Sequence, residues 1–196
     1  MEILKLGQKN FTETIKRVSM SIRQGMVIVL PTDTVYGLVA DATNKKAVGK
    51  IFKIKERKEG KPIPIFVRDI RMAKKLALID KKQEKFLKKV WHGKITVVLK
   101  KKAKTKLYGA DKKTIGLRVP KYKFINALLK KLKRPLTGTS ANISGRPAAT
   151  KIKEVLAQFN DKRHRPDLVL DAGNLKPSKP STVIDLTGKK PKTLRR

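Results

Sequence analysis

The chain has 196 residues, of which 50 are Lys or Arg and 15 are Asp or Glu, for a net charge of +35. With 39% hydrophobic residues it can build a packed core, and its length suits one domain. The charge favours phosphate-bearing partners at low salt, although lysines scattered over a surface also simply solvate it. Cysteine is absent, which excludes disulfides, thiolate catalysis and cysteine zinc sites.

His92 and His164 lack metal-ligand spacing, so no metal site is expected from the residues. No apolar N-terminal segment leads to a cleavage site. The longest apolar runs, Met26–Leu30 and Ile95–Leu99, fall far short of the roughly 20 residues that span a bilayer. A cytoplasmic protein with no membrane partner is therefore expected. Neither an internal repeat nor a Gly/Ser-rich or Pro-rich linker divides residues 1–196, which read as one domain.

In chain order, Phe11, Ile15, Val18 and Ile22 recur at helical spacing, and Gly25 stops the pattern. Met26–Leu30 reads as a buried strand ended by Pro31. Asn44 opens a helix with Ala47, Val48, Ile51 and Phe52 on one face. Ile63–Val67 reads as a strand weakened by Pro64. Asp69 and Asp80 read as N-caps of two further helices. Ile95–Leu99 and Thr114–Val119 are strands, and Phe124, Leu128, Leu129 and Leu132 mark a helix. Pro135–Ser140 reads as one strand entering a turn-rich loop, Asn142–Ala149. Thr150 is expected to cap a helix carrying Ile152, Val155, Leu156 and Phe159. Asp167–Asp171 and Thr182–Leu186 close the series as strands. Alternating strands and helices predict an α/β layered fold with a partly parallel sheet. The closeness of the last two strands predicts some antiparallel pairing, hence a mixed sheet flanked by helices.

Ligands in such sheets favour the loops at the carboxyl ends of strands, and three segments are unusual. Residues 31–37, Pro-Thr-Asp-Thr-Val-Tyr-Gly, gather hydroxyls, a carboxylate and a phenol directly after a buried strand. The same residue types favour an ordinary hydrogen-bonded turn. Lys55-Glu56-Arg57 places two cations at a helix end, where they could clamp a polyphosphate or only meet the helix dipole. Residues 139–147, Thr-Ser-Ala-Asn-Ile-Ser-Gly-Arg-Pro, join a strand to a helix with small polar groups that allow close approach to phosphate or ribose. No Walker loop, dinucleotide fingerprint or Ser-His-Asp constellation is present. Asp33 and Asp41 do not read as a carboxylate pair. The chain looks built to position and neutralise charge rather than to supply a nucleophile.

These three segments, in this order and spacing, resemble the YrdC-domain family of L-threonylcarbamoyladenylate synthases. Gly116-Leu117-Arg118-Val119-Pro120, Ser181-Thr182-Val183-Ile184-Asp185 and Leu194-Arg195 extend the resemblance over nearly the whole chain. It implies a twisted α/β fold with a mixed sheet and a basic concave face. It implies synthesis of threonylcarbamoyl-AMP and pyrophosphate from L-threonine, bicarbonate or CO2, and ATP, with Mg2+ accompanying ATP. That product feeds the N6-threonylcarbamoyl modification of adenosine 37 in ANN-decoding tRNAs, so downstream threonylcarbamoyl-transferase proteins are implied partners.

By resemblance, Lys55 and Arg57 hold the phosphates and are the residues assigned to catalysis. Thr114, Ser140, Asn142 and Arg195 join them at ATP. Thr32, Tyr36, Arg118 and Ser181 shape the threonine site, with Arg118 the partner of a carboxylate. The chain departs from the family pattern at Lys58, at Lys61-Pro62-Ile63, at Trp91-His92-Gly93-Lys94, at Ala148 and at Pro180. A rival reading of the charge is a non-catalytic protein of the same fold that binds tRNA, double-stranded RNA or the ribosome. The low aromatic content, 5%, offers such a binder few stacking platforms.

Overall fold

The computed structural model describes all residues except Gln8, Glu59 and Arg196. The strands are β1 (Glu2–Lys5), β2 (Ile28–Leu30), β3 (Gly37–Val39), β4 (Ile65–Phe66), β5 (Ile95–Lys100), β6 (Thr114–Arg118), β7 (Leu136–Thr137), β8 (Thr139–Ser140), β9 (Leu168–Asp171), β10 (Thr182–Asp185) and β11 (Lys192–Arg195). The helices are α1 (Phe11–Arg23), α2 (Lys45–Ile54), α3 (Ile70–Leu76), α4 (Lys81–Val90), α5 (Lys123–Leu132) and α6 (Ile152–Ala157). They build two mixed sheets, with strand orders β1-β9-β2-β3-β8 and β11-β10-β5-β6-β4-β7.

The first sheet explains why its central strand is apolar throughout. Ile28 and Leu30 pack with α1 and α5, through Ile15, Val18, Phe124 and Leu128. Val29, between them, packs on the opposite face with Val48 and Ile51 of α2. A strand covered on both faces has no position for a polar side chain.

The second sheet is covered on one face only. Val97, Leu99, Ile115 and Leu117 join Ala73, Leu87 and Trp91 in a third apolar cluster. The alternate residues Thr96, Val98, Thr114, Gly116 and Arg118 line a cavity instead. The period-2 alternation of Thr114-Ile115-Gly116-Leu117-Arg118 is the sequence imprint of that half-buried state.

Several expectations hold locally. Asn44, Asp69 and Asp80 each accept a hydrogen bond from the backbone N–H three residues on, and Asp80 with Gln83 forms a capping box. Thr150 does not cap α6: the helix starts one residue later, its N-cap is Lys151, and no side chain caps it. Phe159 lies beyond that helix but is still buried.

The long-range expectations needed more correction. One mixed sheet is two. The strands around 168–171 and 182–185 do not pair: β9 lies parallel to β1 and β2, whereas β10 lies parallel to β5 and antiparallel to β11. The single strand expected over 135–140 is two. Leu136–Thr137 pairs with β4 in the second sheet, and Thr139–Ser140 pairs with β3 in the first.

Gly138 is where the chain changes sheets, and its N–H donates to Pro64 O at 2.8 Å. A Cβ there would lie 2.5 Å from the Phe66 ring, so only glycine lets the crossing pass this close. Gly138→Ala should cost about 1–3 kcal/mol in urea unfolding through overpacking. Gly188→Ala, where nothing lies within 4 Å of the added carbon, should stay within about 0.5 kcal/mol of the unaltered protein.

Candidate active site

The uncovered face of the second sheet and the loops at the edge of the first enclose a cavity of about 700 Å3. Every residue singled out from the sequence lines it: Thr32, Tyr36, Lys55, Arg57, Thr114, Arg118, Ser140, Asn142, Ser181 and Arg195.

Lys55 and Arg57 owe their placement to the end of α2. Arg57 N–H donates to Phe52 O at 3.0 Å and Glu56 N–H to Lys53 O at 3.2 Å. This is the paired closing bond of a Schellman turn, with Glu56 in the left-handed region at φ 49°. Glycine ordinarily occupies that position. Here Glu56 forms an ion pair with Lys162 at 2.7 Å.

Lys55 leaves the helix end altogether, so its side chain is no dipole cap. Its ammonium donates to Ser140 O at 2.6 Å, Asn142 O at 2.8 Å and Asn142 Oδ1 at 3.0 Å. All three of its donors are thereby used. Asn142 Oδ1 also accepts from Ser140 Oγ at 2.6 Å, and Asn142 Nδ2 donates to Ile143 O and Arg146 O. Lys55, Ser140 and Asn142 are one interlocked frame. Lys55 can meet a phosphate only by trading one of these oxygens. Arg57 is more open: NH2 donates to Pro62 O at 3.1 Å, while Nε is buried without a partner. Ser144 Oγ, also in the cavity lining, is likewise unpartnered.

The opposite wall is built on an ion pair between the two sheets. Arg118 NH2 donates to Asp33 Oδ1 at 2.6 Å, with side-chain exposures of 5% and 7%. Arg118 Nε donates to Gly93 O at 3.0 Å, and Asp33 Oδ2 accepts Lys121 N–H at 3.0 Å. Arg118, expected to face a carboxylate at the threonine site, thus already holds one from the chain itself. Thr32 Oγ1 accepts from Thr34 N and donates to Val35 O at 2.7 Å, which closes the turn after β2. Tyr36 OH donates to Gly173 O at 2.6 Å and accepts from Ala172 N–H. Ser181 Oγ meets Thr96 Oγ1 at 2.9 Å, and Arg195 NH2 donates to Ser181 O at 2.7 Å.

Thr96 is not among the residues that the sequence singles out, and Asp33 and Ser144 fall in its polar loops without an assigned role. Thr96 carried a signal, as a hydroxyl inside the apolar run Ile95–Leu99. The pairing of Asp33 with a residue 85 positions away carried none. Asp41 pairs elsewhere, with Arg134 at 2.7 Å, in keeping with its separation from Asp33. Among the described residues no cluster of His, Cys, Asp or Glu could hold a metal ion.

Burial, reinforced by the nearby Arg57 charge, pushes the Lys55 ammonium down to about 7. Burial also lowers Arg118 against the opposing pull of Asp33, with Arg195 adding to the lowering. Burial raises the Tyr36 phenol to about 12.

The Sua5/YciO/YrdC family model, described as telomere recombination, matches residues 20–196. The chain belongs to this family. It is 36% identical over 186 residues to a Methanocaldococcus jannaschii protein provisionally named threonylcarbamoyl-AMP synthase, covering 95% of this chain and 86% of that one. It is 34% identical to the threonylcarbamoyl-AMP synthase of Pyrococcus abyssi, over 89% of this chain but 51% of that protein. The crystal structure of Pyrococcus abyssi Sua5 complexed with L-threonine superposes with a TM-score of 0.85 at 31% identity, over 99% of this chain and 56% of that one. Escherichia coli YciO, whose name states no activity, superposes equally well at 28% identity, over 100% of this chain and 94% of that one.

The buried Lys55 makes stability depend on pH with a definite sign. Its ammonium is depressed in the fold from 10.5 to about 7. Between those values the unfolded chain holds a proton that the folded chain does not, so stability rises with pH through the window and the cost of burying the charge is full below about pH 7. Urea unfolding should show the unaltered protein gaining stability relative to Lys55→Met from about pH 7 to about 10.5. In 15N-labelled protein the Lys55 amine should titrate near the lower value.

Proposed function

We propose that this protein forms L-threonylcarbamoyl-AMP and pyrophosphate from L-threonine, bicarbonate or CO2, and ATP. The observation that carries the reading is the convergence of ten residues, drawn from segments spread over residues 32–195, on one cavity. Its volume lies within the range of about 300–1,000 Å3 usual for small-ligand pockets. Family membership and the named relatives support it. The product would serve tRNA modification through partner transferases, and a cytoplasmic location suits that role.

The chemistry asks little of a covalent kind. The threonine amine captures CO2 as a carbamate, losing a proton. A carbamate oxygen then attacks the α-phosphorus, and the bond to the bridging oxygen of pyrophosphate breaks. The protein has to align two reactants, keep water from the carbamate and offset phosphate charge. Arg57, Lys58, Lys61 and Arg195 bear on the phosphates, with Lys55 framing the Ser140–Asn142 loop and adding its charge. Thr114 contributes at the nucleotide. Arg118, Ser181, Thr32 and Tyr36 shape the amino-acid end, the last two mainly through the turns they hold. Mg2+ would arrive on ATP, because among the described residues the cavity lining contains a single carboxylate, Glu56, and Mg2+ commonly keeps its waters and substrate phosphates as ligands.

The second reading, RNA binding without catalysis, draws on the +35 charge. Among the described residues Tyr108 is the one exposed large aromatic, which gives bases little to stack on.

Pyrophosphate release, measured with each substrate withheld in turn, separates the two. The synthase reading expects release that falls away without threonine or bicarbonate. Arg57→Ala and Ser140→Ala should each lower kcat/KM for ATP by about 10- to 100-fold, the size of a lost charge-assisted hydrogen bond. Tight, salt-sensitive RNA binding with no pyrophosphate release would favour the rival.

A further inference from the structure

Among the described residues six cationic side chains line the cavity: Lys55, Arg57, Lys58, Lys61, Arg118 and Arg195. Among the described residues only Arg118 has a carboxylate partner. Glu56, the acidic residue of the lining, forms its ion pair with Lys162. The neutralising carboxylate, Asp33, is not part of the lining. Its oxygens are taken up by Arg118 NH2 at 2.6 Å and Lys121 N–H at 3.0 Å, and its side chain is 7% exposed.

Orienting Arg118 does not by itself require a charge. Gly93 O already fixes Nε at 3.0 Å, and an amide at position 33 could still accept from NH2. What a carboxylate adds is a full negative charge in a setting where both side chains are nearly excluded from water, so solvent screens it little. Arg195 stands close enough to Arg118 to repel it. Two neighbouring guanidiniums with no counter-charge form a good phosphate clamp. Paired with Asp33, Arg118 keeps directional donors for a carboxylate but contributes no net charge.

We propose that Asp33 is a specificity-determining residue that divides the basic cavity, neutralising Arg118 so that the amino-acid end does not capture phosphate. The proposal rests on the threonine and ATP reading given above. It is a case of rejecting the wrong ligand by removing an attraction rather than adding a clash.

Equilibrium binding of L-threonine to the full chain, with and without inorganic pyrophosphate, tests it. In the unaltered protein, saturating pyrophosphate should leave the apparent Kd for threonine within about twofold. In Asp33→Asn it should raise that Kd by about tenfold or more, because pyrophosphate now competes at Arg118. Asp33→Glu should restore independence, and Arg195→Ala added to Asp33→Asn should weaken the competition. A merely structural role would shift threonine affinity without making it depend on pyrophosphate.

The proposal is overturned if folded Asp33→Asn binds threonine independently of pyrophosphate, or if the unaltered protein already shows competition. If Asp33→Asn does not fold, Asp33→Ser is read in the same way. Failure of both to fold overturns the proposal, because the pair then serves the fold. An unaltered protein that binds pyrophosphate but no threonine overturns the functional reading itself, a result distinct from every outcome for the Asp33 variants.

Discussion

An amine buried at the meeting point of α2 and the Ser140–Asn142 loop organises the site. Removing an ammonium from water is costly unless its donors are satisfied. Lys55 meets that demand with three oxygens, all from one tripeptide. The tripeptide is thereby held to the end of α2, and Ser144 N–H returns a bond to Lys55 O at 2.8 Å. Gln158 adds bonds to Ile143 N–H and Pro147 O, and Ala141 and Ile143 anchor the loop in the apolar core. A preorganised loop of this kind lets a site act on charge without reorganising at the moment of reaction.

The two sheets divide the remaining work. The first is covered on both faces and contributes its edge, where β3 and β8 carry the turn from Gly37 and the crossing at Gly138. The second keeps one face free of helices, and that face becomes the floor of the cavity. The Asp33–Arg118 pair joins them through a loop of one and a strand of the other. A buried ion pair is weak evidence of net stability, because desolvation offsets much of its attraction. Its value here lies in registering the two sheets and in setting the charge of one end of the cavity.

Most of the +35 charge lies outside this arrangement. The ion pairs on the helices, such as Lys74 and Lys88 with Glu84, are exposed and contribute little each. Of the cations that line the cavity, Lys55 and Arg118 stand apart in burial, as the cationic side chains among the buried polar residues. Composition alone could not make that distinction.

Much of the local structure was legible in the chain itself. The spacing of Ile15, Val18 and Ile22 marked α1, Asn44, Asp69 and Asp80 marked helix starts, and the alternation across residues 114–118 marked a strand with one polar face. Such features depend on neighbours a few residues away, so sequence determines them directly. The candidate site residues were legible because short polar segments follow apolar strands, and because their order resembles a known family. Tertiary structure alone decided that residues 135–140 belong to two sheets, that β9 and β10 never pair, and that Lys55 grips a loop instead of capping its helix. It also decided that Asp33 neutralises Arg118. These outcomes hinge on which distant surfaces meet, and a contact across 85 residues leaves no periodic trace in the sequence that makes it.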